Sequence, residues 1–387
     1  MTPSSSKLRD SVLPVCNFLS KGWEVSILGL LVFFKQKYDL PLYLVGLLST
    51  VFIVSQISVS AFAGVIAHAF GSRKVIRLSI AASGTAWLIL ALTGSLPPLF
   101  LAYFFAGASS GLFEPIGNSL VAKGCSSRDR STAIGNFAAF GDMGRIAMLS
   151  VSTLVAGYLG VTHICMALFC TAAIAFALAR LVKNGTPEAE MSAAPEVPVT
   201  FGSLRQNHRF CLATLAGIAD SFSSASLYIF IPFLLNEKGI SLAATGWFTA
   251  LFFVGYLLGR LGLGRASDRF GRPAILMASK VAMTILILLL IAVPSALAAL
   301  VPLIFLLGVF TRGSSPIIRA MVADSIDEKA SFHNAFSAFS FASRGSTALS
   351  RPISGYLASY AGIGAVFYLA ATVSLLTLYP AARYRDS

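Results

Sequence analysis

The residues able to do chemistry in this chain are ionisable side chains set inside long apolar stretches: Lys21, Glu24, Glu114, Asp142, Arg145, Asp220, Arg312, Arg344 and Arg351. A buried carboxyl can carry a proton, and an arginine presents paired donors to a carboxylate or phosphate. Asn17, Lys21 and Glu24 follow i, i+4, i+7; Arg312, Ser315 and Arg319 form a second row, and Ser337, Ser340, Arg344, Thr347 and Arg351 a third. Each row shares a helix face, which predicts a wetted wall. Lys21 with Glu24, and Asp142 with Arg145, lie three apart, a spacing that serves a static ion pair as well as a transport role; Glu114 with Arg145 is a further static candidate.

Other chemistries lack their residues. The four histidines, His68, His163, His208 and His333, fall near the ends of apolar segments, so no nucleophile–base or metal constellation is expected in the interior. The five cysteines make neither CxxC pairs nor a His/Cys cluster. No phosphate-cradling glycine loop is present, so energy is expected from an ion gradient, with no cofactor and no enzymatic step.

The elements that must hold these charges are membrane helices. With 56% hydrophobic residues, 12% charged and a mean hydropathy of +0.79, the composition is that of a bilayer protein. Twelve apolar spans are predicted at 11–34, 42–67, 75–94, 98–122, 133–157, 162–181, 208–235, 242–263, 273–293, 297–322, 332–358 and 363–381. The first follows Lys7 and Arg9 without a small-residue cleavage pattern and is expected to remain as a span.

Net charge of +13 would suggest nucleic acid in a soluble protein, but here the cations sort by side. Under the twelve-span reading, eighteen Lys and Arg fall on the side of the termini and three, Lys35, Lys37 and Lys238, on the other. That bias predicts cytoplasmic termini and no nucleic-acid partner. Facing lipid, the deep charges would together cost more than ~20 kcal/mol, against a typical net stability of ~5–15. They are expected to face protein or water. Arg260, Lys280 and Arg319 sit nearer the predicted cytoplasmic ends, where snorkelling is the simpler reading.

The two halves echo one another. Gly64 and Gly71 with His68, Ala69 and Ser72 stand 200 residues before Gly264, Asp268, Arg269, Gly271 and Arg272. Glu114-Pro115-Ile116 mirrors Ser315-Pro316-Ile317, and Phe137, Ala139, Phe140 and Arg145 mirror Phe336, Ala338, Phe339 and Arg344. Such a repeat predicts two parallel six-helix bundles.

On these residues the chain resembles the major facilitator superfamily along essentially its whole length. The family's loop signature is met by Gly264, Asp268, Arg269, Gly271 and Arg272, while the first-half copy departs from it at His68, Ala69 and Ser72. The resemblance implies an all-α membrane protein of twelve transmembrane helices in two pseudo-symmetric bundles, residues 1–182 and 208–387, joined by a cytoplasmic linker at 183–207. It also implies a monomer and a gating role for both loop copies. The patterns of the family's drug antiporters are not met, with Tyr103 four residues before Gly107 and Met148-Leu149-Ser150 in place of a Gly-Pro pair.

Together these readings predict a proton-coupled secondary transporter of the inner membrane, moving a small anionic or zwitterionic organic solute, with efflux slightly preferred. Lys21, Glu24, Arg145, Arg312, Arg344 and Arg351 are the expected solute contacts, and Glu114, Asp220 and Asp142 the expected proton sites. Among these carboxyls, Glu114 and Asp220 stand out because neither has a basic residue within one helical turn. A broad-specificity drug exporter and a non-transporting sensor or assembly protein are the alternatives. Partners are then the lipid bilayer, the solute and protons. Gly141, Gly144 and Gly157 in span five, with Pro232, Gly255, Pro316 and Pro352 in the second half, serve either as hinges or as close helix contacts.

Overall fold

The computed structural model describes residues 3–123, 130–181, 206–294, 296–326 and 332–386. The predicted linker at 183–207 lies outside the described residues except for its last two positions. Helices occupy every one of the twelve predicted spans, and among the described residues there is no strand. Span one runs Pro3–Gly29 and Leu31–Tyr38, span two Leu42–Phe70, span three Ser72–Leu92, span four Leu96–Lys123, span five Arg130–Leu159 and span six Val161–Leu178. Span seven is His208–Glu237, span eight Leu242–Phe270 and span nine Arg272–Ala292. Span ten breaks into Leu297–Arg312 and Ser315–Asp324, with a proline at the start of its second piece; span eleven is Phe332–Ala361, and span twelve breaks into Ile363–Leu376 and Leu378–Asp386.

Ten of these are long and apolar enough to cross a membrane. Spans five and eleven are the exceptions. Each is 30 residues, roughly 45 Å of helix, so length is not their lack. Asp142 and Arg145 in one, and Arg344 and Arg351 among hydroxyls in the other, make them too polar to pass on composition alone.

The chain divides into two compact units. Unit 1 comprises residues 1–40, 48–193 and 242–250; unit 2 comprises 41–47, 194–241 and 251–387. The internal repeat is visible in their backbones. Six described residues have positive φ: Asp39, Gly71 and Gly160 in the first half, and Gly239, Gly271 and Gly362 about 200 residues later. Each ends one helix or opens the next, a conformation in which glycine carries no Cβ penalty. The repeat extends to polar contacts made by the first helix of each unit. In unit 1, Trp23 Nε1 donates to Thr171 Oγ1 at 3.2 Å, Ser110 Oγ to Glu24 Oε2 at 3.0 Å, and Ser152 Oγ to Ser26 Oγ at 3.0 Å. At matching positions of unit 2, Ser223 Oγ donates to the Ala370 carbonyl at 2.7 Å and Ser224 Oγ to that of Thr311 at 3.2 Å, while Ser226 Oγ lies 2.6 Å from Ser350 Oγ. Spans one and seven are therefore the polar hubs of their units.

Small residues let neighbouring helices of each unit close up. A Cβ on Gly107 would overlap the Phe52 carbonyl oxygen, and one on Gly308, 201 residues on, would overlap that of Phe252. Gly144 meets the Phe18 carbonyl in the same way, and Gly255 that of Phe305. These glycines read as close contacts, the driving feature of helix association where lipid supplies no hydrophobic contrast. Gly107→Ala and Gly308→Ala are each expected to cost about 1–3 kcal/mol, as overpacking does. Thermal denaturation in detergent checks this, with Gly64→Ala as the neutral comparison because open space surrounds Gly64. Outward, Phe62, Val65, Leu92, Leu159, Ile174 and Leu376 are all more than 60% exposed. In water such a surface would aggregate; against acyl chains it needs no cover.

Candidate functional site

In unit 1 the deep charges converge. Gly141 makes the space: a Cβ there would stand 2.7 Å from Asn17 Nδ2 and 3.0 Å from Lys21 Cγ. Asn17 Nδ2 donates to the Phe137 carbonyl at 2.6 Å, which fixes spans one and five side by side. Lys21 Nζ then reaches Glu24 Oε2 at 2.9 Å and Glu114 Oε2 at 3.1 Å. Arg145 is paired with Asp142 one turn away, and its Nη2 stands 3.8 Å from Glu24 Oε1. Three carboxylates and two cations thus form one network across spans one, four and five. The Glu114 side chain keeps 35% of its surface accessible, against 4% for Asp142, so Glu114 is the member that solvent reaches most readily.

Neutral groups complete the network. Ser110 Oγ donates to Glu24 Oε2 at 3.0 Å, and Gln56 Nε2 donates to Ser110 Oγ at 2.7 Å. Ser83 and Ser109 are bonded to each other at 2.7 Å. Together with Ser20, Trp23 and Trp87 they bound a cavity of about 10 Å³ beside Glu24, room for about one water. Gln56 and Ser110 have no place in the predicted site. The available signal was Gln56 itself, the one amide side chain in span two.

Unit 2 holds a second, separate pair. Lys280 on span nine is fully buried and ion-paired with Asp220 on span seven, and Ser314 Oγ donates to Asp220 Oδ1 at 2.9 Å. The snorkelling expected of Lys280 is overturned, because its side chain points into the unit. The helix-local rule that set Asp220 and Glu114 apart fails for the same reason. Asp220 has Lys280 from 60 residues away and Glu114 has Lys21 from 93, so all four deep carboxyls have a cation beside them. Arg344 is partly buried and Arg351 buried on span eleven, whereas the Arg312 side chain lies outside the described residues. Arg319 is exposed, and Arg260 bonds the Tyr256 hydroxyl at 3.3 Å. Among the described residues no group of three or more His, Cys, Asp or Glu could hold a metal ion.

The two loop copies differ in what holds them. Gly71 and Gly271 carry the positive φ that turns the chain, whereas open space surrounds Gly64 and Gly264. In unit 2, Arg272 is ion-paired with Asp324 and donates to the Ala320 carbonyl at 3.0 Å, while Asp268 and Arg269 are exposed. A cavity of about 300 Å³ opens there, bounded by Ser267, Asp268, Arg272, Asp324 and Tyr384. At the matching position of unit 1 stands Ser72, which carries no charge to pair.

The model of the family described as Major Facilitator Superfamily matches residues 15–219 and again 210–386. Over 102 residues the chain is 34% identical to an Escherichia coli protein named "Uncharacterized MFS-type transporter YcaD", a stretch that is 26% of this chain and 26% of that relative. The chain thus spans about a quarter of the length of the curated relatives it matches. Among solved structures, the nucleoside transporter NupG superposes with a TM-score of 0.78 at 14% identity, covering 98% of this chain and 99% of that one. A point mutant of NupG superposes with a TM-score of 0.80 at the same 14% identity, covering 97% and 99%. At that identity the likeness is one of fold.

Proposed function

Because the chain belongs to the major facilitator superfamily, we propose that it is a multi-pass membrane transporter that moves a small anionic or zwitterionic organic solute, driven by a proton gradient. A charge imbalance carries this reading. Lys21, Glu24, Glu114, Asp142 and Arg145 are the charges of the span interiors in the first half, and their formal charges sum to minus one. One proton removes it. Glu114 and Asp142 remain the candidate carriers there. In unit 2, Asp220 is already balanced by Lys280, so the proposal puts the coupling proton in unit 1.

The solute class rests on the cations. Lys21 and Arg145 offer donors in unit 1, as do Arg344, Arg351 and Arg312 in the second half, and Glu24 suits an ammonium group. Both termini are assigned to the cytoplasm on the eighteen-to-three bias of Lys and Arg, and an inner-membrane monomer follows from the family resemblance alone. Export is preferred to import on the family resemblance alone.

The test is a solute panel in proteoliposomes loaded with a pH-sensitive dye, under an imposed pH gradient. Organic anions, zwitterions, nucleosides (after the cargo named for NupG) and lipophilic cations make up the panel. The proposal expects proton movement with one class of anion or zwitterion. Proton movement with unrelated lipophilic compounds would support a broad drug exporter instead, and solute entry without proton movement would reject the coupling.

A further inference from the structure

We propose that Gln56 and Ser110 form a positioning relay that keeps Glu24 ionised and so directs the unit 1 proton to Glu114. The inference rests on the proton-coupled reading of this cluster. It starts from a tie. If Glu114 takes the proton, the remaining charges close into two neutral pairs, Lys21 with Glu24 and Arg145 with Asp142. If Glu24 takes it, they also close into two neutral pairs, Lys21 with Glu114 and Arg145 with Asp142. Protonating Asp142 instead would leave Arg145 facing Glu24 at 3.8 Å, the longest contact of the cluster, so the choice lies between Glu114 and Glu24, and pairing alone does not make it.

Ser110 does. Gln56 Nε2 is an amide nitrogen that only donates, so the Ser110 oxygen must accept from it at 2.7 Å. The one hydroxyl hydrogen of Ser110 is then left for Glu24 Oε2, at 3.0 Å. A carboxylate accepts that hydrogen, whereas protonation of Glu24 weakens the contact. Glu24 Oε2 also accepts from Lys21, and Arg145 faces Oε1 at 3.8 Å, so the groups bonded to Glu24 are donors suited to an anion. Gln56 is buried, and its amide nitrogen, not its oxygen, faces Ser110. Turning the Gln56 amide over would present its oxygen to Ser110, draw the hydroxyl hydrogen away, and leave a Ser110 oxygen better suited to a neutral Glu24. A hydrogen bond to a charged acceptor biases the proton towards Glu114 by about tenfold or more.

Infrared titration of the purified full-length protein tests this with the proton itself as the probe. The readout is the C=O band of a protonated carboxyl. Asp and Glu acids absorb differently, so replacing the protonated residue by its shorter homologue moves the band, while replacing the ionised one does not. In the natural protein Glu114→Asp is expected to move the band and Glu24→Asp to leave it. In a Ser110→Ala background the bias falls towards one, so the band acquires a second component that Glu24→Asp moves. Gln56→Leu acts in the same direction. Ser110→Thr, which keeps a hydroxyl, restores the single band, and Ser109→Ala, which removes a hydroxyl bonded to Ser83 and not to a carboxylate, leaves it unchanged. A Ser110→Ala band identical to the natural one, still moved by Glu114→Asp alone, overturns the relay and leaves the coupling reading intact. No protonated carboxyl at any pH where the protein stays folded overturns that reading itself.

Discussion

Lys280→Met is expected to destabilise the protein by about 3–5 kcal/mol, the usual consequence of stranding one member of a buried ion pair. Lys280 is fully buried, and its partner Asp220 receives only the Ser314 hydroxyl besides it among the hydrogen bonds described. Remove the ammonium and a carboxylate is left in a dry interior. The double substitution Asp220→Asn with Lys280→Met should recover most of the stability, since it removes both charges from a well-packed site. Thermal midpoints of the two single variants and the double variant in detergent check this. Additive losses would show that the two side chains act independently.

Glu114→Gln is expected to abolish uphill transport while leaving downhill movement of the solute. With the carboxyl gone, Lys21 and Arg145 are matched by Glu24 and Asp142, and the first-half interior is neutral without a proton. A gradient of one pH unit supplies about 1.4 kcal/mol per proton, enough for about tenfold accumulation at one proton per solute. The variant should equilibrate instead, at a ratio of about one. Accumulation in proteoliposomes, with the membrane potential clamped at zero, measures the difference. Unimpaired accumulation by Glu114→Gln would move the proton to another carboxyl.

Much of the fold was legible because its determinants are one-dimensional. Apolar length marks a span, and a 200-residue offset survives in Gly71 and Gly271 because only a residue tolerant of positive φ turns the chain there. The local pairs Lys21–Glu24 and Asp142–Arg145 were legible too, since residues three apart share a helix face. Lys280 was not. Distance from a span end gives depth along the helix but not the direction of the side chain, and a lysine at that depth can either snorkel or turn inward. The contacts of Glu114 with Lys21 and of Asp220 with Lys280 join different helices, so no spacing rule reaches them. Ser110 was hidden by its ordinariness: hydroxyls occur throughout these spans, and only the donor on one side and the carboxylate on the other give this one a direction.

The dependence of solute accumulation on the imposed pH difference tests the one-proton reading of this cluster most directly. At zero membrane potential, the logarithm of the accumulation ratio should rise by about one for each pH unit, the slope of one proton per solute. A slope of zero would contradict proton coupling, and a slope of two would contradict a cluster that lacks only one positive charge.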